Sequence, residues 1–461
     1  MVSVGGDQTT SSELEDFRSG LYSTFTRWGD ALFELADAVL CSPSPVSSVP
    51  ALSLEPVFRR SHGSLYKALH HGRIDQDALR RLLVEHRPPS WPQVFAVDAS
   101  TWDRCDAECS PERGYYYSAS KHSAGKPIVA GWHYQWITQL DWAADSWTAP
   151  LDVTRIAPSV DATTATVEQV RRLVGLLGDT AEVPLFVFDA GYDPIAISHD
   201  LAGLRCETLT RIRDDRVFYQ DPVVARSHTG RSTQTGGRPR CHGKQFKCAD
   251  PATWPKPDAT LATSDRRYGN ITVQAWHGLH PKLGRHGHWA GHDTLPVVRG
   301  TVIRVEVEHL PKPTSRTKKT LWLWWKGPGE PDLDRCWRAY LRRFDIEHTF
   351  RFKKGTLGWT TPSLCTPDQA DRWSWLIAAA YTQLLLARRL VEDLRLPWER
   401  RRQHDALTPT RVRRGFRRLG ATIGTPASPP KSTKPGPGRP KGTRKPPRKR
   451  YPAIKKAPKT P

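Results

Sequence analysis

DLDRCWRAYLRRFDIEHTFRFKKG, residues 332–355, is the stretch whose reading decides the fold. Pro331 precedes it, Asp332 can cap a helix and Gly355 can stop one, so the spacing predicts a single helix over 332–355. At about 100° per residue, Leu333, Trp337, Leu341, Phe344 and His348 make one mostly apolar stripe. Tyr340, Arg343, Glu347 and Lys354 follow at offsets of 3, 7 and 14 from the first. Those offsets fall within roughly 60° of one another, beside the stripe. A carboxylate, two cations and a phenol therefore share one edge of a helix whose neighbouring face is buried. A basic amphipathic helix with routine i,i+4 pairs has the same composition. What separates the two readings is whether further carboxylates end buried strands upstream.

Two do. Gln93-Val94-Phe95-Ala96-Val97-Asp98 is a compact apolar run closed by an acid. Val183-Pro184-Leu185-Phe186-Val187-Phe188-Asp189 repeats the pattern and is followed by Ala190, Gly191 and Tyr192. Between them lie strand candidates at Pro127–Trp132 and Trp147–Leu151 and a helical period over Ala165–Leu177, and Arg205–Phe218 adds another strand. Three strands, a helix and strands again is the order of an RNase H-like α/β core, a mixed sheet flanked by helices. Cleaving a phosphodiester requires an activated water or 3′ hydroxyl and a stabilised leaving oxyanion. Two divalent ions held by hard carboxylate oxygens do both. Asp98, Asp189 and Glu347 have the residue type and the placement for such a site.

The spacing Tyr-x2-Arg-x3-Glu-x6-Lys resembles the C-terminal signature of insertion-sequence DDE transposases, the IS-four superfamily. Asp98-Ala-Ser-Thr resembles that family's first acid motif, and Asp189-Ala-Gly-Tyr192 resembles the second, Asp-x-Gly-Tyr. A β-rich segment before the third acid is also a trait of the group, and the resemblance covers most of residues 90–400. It implies a cut-and-paste DNA transposase. Asp98, Asp189 and Glu347 would be catalytic and bind two Mg²⁺ or Mn²⁺ ions, while Tyr340, Arg343 and Lys354 would hold phosphates of the transposon end. The implied partners are inverted-repeat ends and target DNA, engaged by a homodimer, with no small-molecule cofactor. In related enzymes an insertion-domain Trp can stack on a flipped base. Trp276 and Trp289 either do so or fill the segment's own core. An RNase H-like nuclease or resolvase shares the acids without needing the cationic edge. A catalytically silent, transposase-derived DNA-binding protein is the third reading, and the intact acids argue against it.

The rest of the chain divides by texture. Residues 1–90 read as helical, with Ser64–His71 and Gln76–His86 split by Gly72. That pair is either a DNA-reading unit or a helical cap on the next domain. The core would comprise residues 91–220 and 328–400, interrupted at 221–327 by a Gly-, Pro- and His-rich β subdomain. His277, His280, His286, His288 and His292 are irregularly spaced there and read as a polar loop. A basic segment, 401–424, leads to a Pro/Lys-rich tail, 425–461, expected to be disordered. Within it Pro437-Gly438-Arg439-Pro440 partly resembles an AT-hook, in which Arg439 would enter a narrow minor groove. The alternative is a solvated polycation.

Formal net charge is +22, which favours a polyanionic partner. Twelve cations and no acid lie between Lys431 and Lys459, so the body alone carries +10. The eight scattered cysteines fit a reduced, cytoplasmic setting, with nucleoid association following from the charge. The most apolar run, Trp373–Ala387, is too short and mixed for a membrane span and reads as a buried helix.

Overall fold

A computed structural model describes residues 5–118, 127–143, 145–222, 241–311, 318–432, 440, 442 and 446–455. Five helices open it: α1 (Gly5–Ser23), α2 (Gly29–Cys41), α3 (Val49–Leu52), α4 (His62–His71) and α5 (Gln76–Glu85). Strand β1 (Phe25–Arg27) pairs with β2 (Arg73–Ile74) among them. Then come β3 (Val94–Asp103), β4 (Gly114–Tyr117), β5 (Ile128–Leu140), β6 (Thr148–Ile156), α6 (Ala162–Leu177), β7 (Leu185–Phe188) and α7 (Pro194–Asp200). Seven strands follow: β8 (Glu207–Ile212), β9 (Val217–Tyr219), β10 (Gln245–Lys247), β11 (Ala259–Asp265), β12 (Gly269–Leu279), β13 (Gly300–Val307) and β14 (Thr320–Lys326). Helices α8 (Leu333–Arg342), α9 (Asp345–Gly355), α10 (Pro367–Leu386) and α11 (Pro409–Ile423) complete the order. The residues cluster into two units, one of 5–92, 98–161 and 344–455, the other of 93–97 and 162–343.

In the first unit β5 is the central strand, with β4 and β6 antiparallel to it. The Arg104 amide donates to the Ala130 carbonyl at 2.7 Å, and Thr101 Oγ1 lies 3.0 Å from His133 Nδ1. These contacts set β3 antiparallel to β5. Gly131 is required there, because a Cβ would stand 2.1 Å from the Trp102 carbonyl oxygen. Helix α10 contains most of the apolar run and is buried almost all round. Thr366 and Gln369 form its capping box, and it packs on β6 and α2. Among the N-terminal helices α5 packs on β6, while α1, α2 and α4 pack on α10. Arg80 of α5 reaches Asp152 of β6 at 3.0 Å, both side chains being almost fully buried. The expected pair of helices around a tight turn is also interrupted, since β2 lies between α4 and α5.

In the second unit residues 94–96 of β3 run parallel to β7, and β7 runs parallel to β8. On the far side of β8 the strands alternate antiparallel in the order β14, β13, β12, β11. The sheet is mixed, as expected. The β-rich segment continues this sheet, since β14 pairs with β8 from Lys326↔Thr208 to Trp322↔Ile212. Pairing satisfies the edge that β8 would otherwise leave open. Strand periodicity places Trp322 and Trp324 on one face, where Phe246, Trp276 and Phe218 complete a buried aromatic core.

Three further expectations change. The helix over 332–355 is two helices. Asp332 does cap α8, its carboxylate accepting the Arg335 amide at 3.1 Å. The ladder then stops at Arg343 and restarts with a tightened bond from the Glu347 amide to Phe344 at 3.1 Å. The break turns the buried face: Phe344 is 53% exposed, while Asp345, Ile346, Thr349, Phe350 and Lys353 face inward. Asp98 does not end its strand, because Ser-Thr-Trp continues the β pattern to Asp103 and buries Trp102 fully. The tail is not wholly unstructured. The Tyr451 amide donates to the Glu108 carbonyl, and Ile454 bridges Gly114 of β4. Backbone hydrogen bonds hold a segment that composition alone leaves free.

Candidate active site

Asp189 is the first residue beyond β7 and is half-buried. Its Oδ1 accepts the Gly191 amide at 2.8 Å, which folds the chain back in an Asx turn. Asp193 then caps α7 through the Ile195 and Ala196 amides. In the same unit Arg335 of α8 donates to the carbonyls of Gln93 and Val183 at 3.0 and 2.6 Å and to Glu207 at 2.8 Å. That one guanidinium ties α8 to the starts of the parallel strands. Tyr340 and Arg343 lie further along α8, with the Arg343 guanidinium 5.9 Å from the Tyr340 ring.

Asp98 lies within β3, 8% exposed, its Oδ1 accepting the Ala99 amide at 2.8 Å. In Asp98 and Asp189 alike a local amide fixes the rotation of the carboxylate. Glu347 is half-buried in the first turn of α9. Contacts along that helix give its direction. Thr349 meets Thr148 at 2.9 Å, opposite Leu140 in the β5–β6 ladder. Lys353 Nζ sits 3.5 Å above the Trp136 ring, and Lys354 Nζ donates to the Thr101 carbonyl at 3.1 Å. From Leu140 through Trp136 to Thr101 the contacts move along β5 backward and β3 forward, so α9 runs parallel to β3. Seven helical residues rise about 10.5 Å over nearly two turns. Three strand residues rise about 10 Å. Glu347 therefore stands as far back along α9 from Lys354 as Asp98 stands back along β3 from Thr101.

The remaining site expectations fare differently. Trp276 is 2% exposed and its indole N–H donates to the Pro255 carbonyl at 2.9 Å; Trp289 is 5% exposed. Both rings are core, and a covered ring has no face for a base. Arg439 lies outside the described residues. Sequence reasoning passed over Lys353, which a single-helix wheel puts outside the apolar stripe but α9 buries. Nor did it find the gathering of His199, Asp200 and His288, which among the described residues is the metal-capable group with ligand atoms within 4.8 Å of one another. Two of these are 89 and 88 residues from the third, and no local pattern links them.

A mixed sheet flanked by helices, with an aspartate directly beyond one of its parallel strands, is a fold of the nuclease type. The family model described as DDE superfamily endonuclease matches residues 16–282, more than half of the chain, and the chain belongs to that superfamily. Membership implies a metal-dependent endonuclease acting on DNA. The matched stretch includes Asp98 and Asp189 and ends before Glu347. No curated protein matches the chain. Among the described residues no helix is long and apolar enough to cross a membrane.

Proposed function

We propose that the chain is an insertion-sequence transposase of the Tyr-Arg-Glu-Lys group, in which Asp98, Asp189 and Glu347 hold two Mg²⁺ or Mn²⁺ ions. The observation that carries this reading is a register. Val94, Phe95 and Ala96 pair with Leu185, Phe186 and Val187. Asp98 is two residues beyond Ala96, and Asp189 is two beyond Val187. Each acid thus follows the last pair of one parallel ladder by the same two residues, and a shared pair of ions takes hard oxygens of this kind. The level of Glu347 along α9 supports its role as the third ligand. The donors are all carboxylate oxygens, the hard set these ions take.

When bound, the ions supply activation of the attacking water or 3′ hydroxyl and charge for the leaving oxyanion. The protein's own part is positional. Asp98 and Asp189 are held by their local amides, and Glu347 is carried by a helix anchored at both ends on unit-one strands. Arg343 and Lys354 supply the cations, and Tyr340 the hydroxyl, that bind backbone phosphates of the DNA end. The functional particle would be a homodimer that synapses two inverted-repeat ends and joins them to target DNA.

Glu347→Gln in the full-length protein should abolish cleavage of a duplex carrying the element's terminal repeat and leave binding to that duplex near wild type. Parallel loss of both would remove Glu347 from the metal site. The superfamily's endonuclease chemistry also fits a purely hydrolytic nuclease. Joined products with a target plasmid, seen only with repeat-bearing ends, distinguish the transposase; hydrolysis without joining would establish the nuclease.

A further inference from the structure

Three imidazoles and a carboxylate surround one buried indole in the second unit. Helix α7 ends on His199 and Asp200. A 3₁₀ turn at Gly287–Trp289, between β12 and β13, brings His288, and His292 follows one turn later. The Trp289 ring lies 5.1 Å from the His199 ring, 4.7 Å from His288 and 5.3 Å from His292. The Asp200 carboxylate is the centre of the group. Its Oδ1 is 2.9 Å from His199 Nδ1, and its Oδ2 is 3.4 Å from His288 Nε2. The Asp200 backbone carbonyl is held in turn by Arg171.

An imidazolium–carboxylate pair needs one histidine. Here two, 89 residues apart, converge on the same carboxylate. A tetrahedral Zn²⁺ with bonds of about 2.0–2.1 Å sets its ligand atoms about 3.3 Å apart. One ligand atom from each of the three residues lies within 4.8 Å of the other two, a group that a bound ion would draw together. The third histidine adds an independent observation. His292 Nδ1 is buried with no hydrogen-bond partner among the described residues, and its ring is 6.0 and 6.2 Å from those of His199 and His288. A buried imidazole nitrogen left alone costs free energy that a metal bond would recover. Side chains 35%, 24% and 21% exposed leave His199, Asp200 and His288 open to an entering ion.

We propose that His199, Asp200 and His288 form a structural site for Zn²⁺ or a similar borderline cation, to which rotation of the neighbouring His292 ring adds a fourth ligand. The donor set is nitrogen-rich, unlike the all-oxygen set of the three acids, so the two sites select different metals. Such an ion clamps the end of α7 to the loop between β12 and β13. It does not depend on the transposase reading.

The test uses chelator-stripped, full-length protein in excess Mg²⁺, titrated with Zn²⁺ against a chromophoric chelator and with Co²⁺ as an absorption probe. Wild type should bind one equivalent, raise its melting temperature with Zn²⁺, and give the visible bands of tetrahedral Co²⁺. An Asp98→Asn, Asp189→Asn, Glu347→Gln triple variant should keep that equivalent. His288→Ala, Asp200→Asn and His292→Ala should each weaken it by more than the ~10–100-fold typical of losing an outer-shell partner. Each variant's fold is checked by circular dichroism without metal, and any folded one of the three suffices. The proposal is overturned if folded variants bind Zn²⁺ as wild type does. It is equally overturned if the triple variant loses the equivalent, or if wild type binds none and the group is only an ion pair.

Discussion

Lys353 and Lys354 are neighbours that, about 100° apart on α9, enter different surroundings. Lys354 is half-buried and reaches the Thr101 carbonyl beside the strand that carries Asp98. Lys353 is 1% exposed, between the rings of Trp136 and Tyr381, and burial pushes its pKa well below the ordinary lysine range. A desolvated ammonium is costly, and an aromatic face returns only about 2 kcal/mol of that cost. Lys353→Met keeps the length and removes the charge. It should stabilise the protein by about 1–3 kcal/mol in urea unfolding near neutral pH. The sign with pH follows from linkage. The folded pKa is depressed, so the folded chain binds fewer protons than the unfolded one between the two values. Wild-type stability rises with pH across that window, and the advantage of Lys353→Met should shrink as pH approaches the normal lysine range. An unchanged gap across that window would mean that Lys353 is not desolvated in solution.

Helix α5 shows how an element is fixed by one charge. Leu79, Leu82 and Leu83 supply its apolar face, yet Arg80 is also buried, with Asp152 of β6 at 3.0 Å and the Trp375 ring 5.3 Å from its guanidinium. Removing one partner of such a pair leaves the other's charge in the interior. Arg80→Ala should therefore cost about 3–5 kcal/mol, measured by urea unfolding. The paired replacement Arg80→Met with Asp152→Leu should recover most of that loss. If Arg80→Ala costs under about 1 kcal/mol, the pair is solvated and α5 is held by its leucines alone.

At the scale of the molecule, charge is the dominant property. Part of the tail is bound to the body: the Arg113 guanidinium donates to the Tyr451 carbonyl at 2.7 Å, and Arg450 lies 3.3 Å from Glu108. The cations at Lys431, Lys434, Arg439, Lys441, Arg444 and Lys445 precede that anchor. Changing these six to Gln, with 446–455 left intact, should preserve cleavage of a short end duplex at saturating protein. Affinity for long non-specific DNA should fall, most at low salt. The salt slope should drop by about 0.9 for each phosphate that the altered tail no longer neutralises. A selective loss of affinity for A·T tracts with an unchanged slope would instead favour the minor-groove reading of Arg439.

Residue order by itself determined the α/β class, the buried strands before Asp98 and Asp189, the cap at Asp332 and the buried helix after Trp373, because these depend on short-range periodicity and capping. It also set a step of two residues from Ala96 to Asp98 and from Val187 to Asp189, a spacing that only the observed pairing of Ala96 with Val187 brings into register. Tertiary structure decided what local pattern cannot reach. It broke the helix at Arg343 and turned Phe344 outward, because α8 buries its face against β11 and β12 while α9 buries its own against β6. It joined β14 to β8, since an open strand edge is satisfied by whichever segment the chain returns to it. It put Trp276 and Trp289 in a core, where sequence leaned to the core but left contact with a base open. It brought His288 to His199 and Asp200 across 89 and 88 residues, through a sheet rather than a motif.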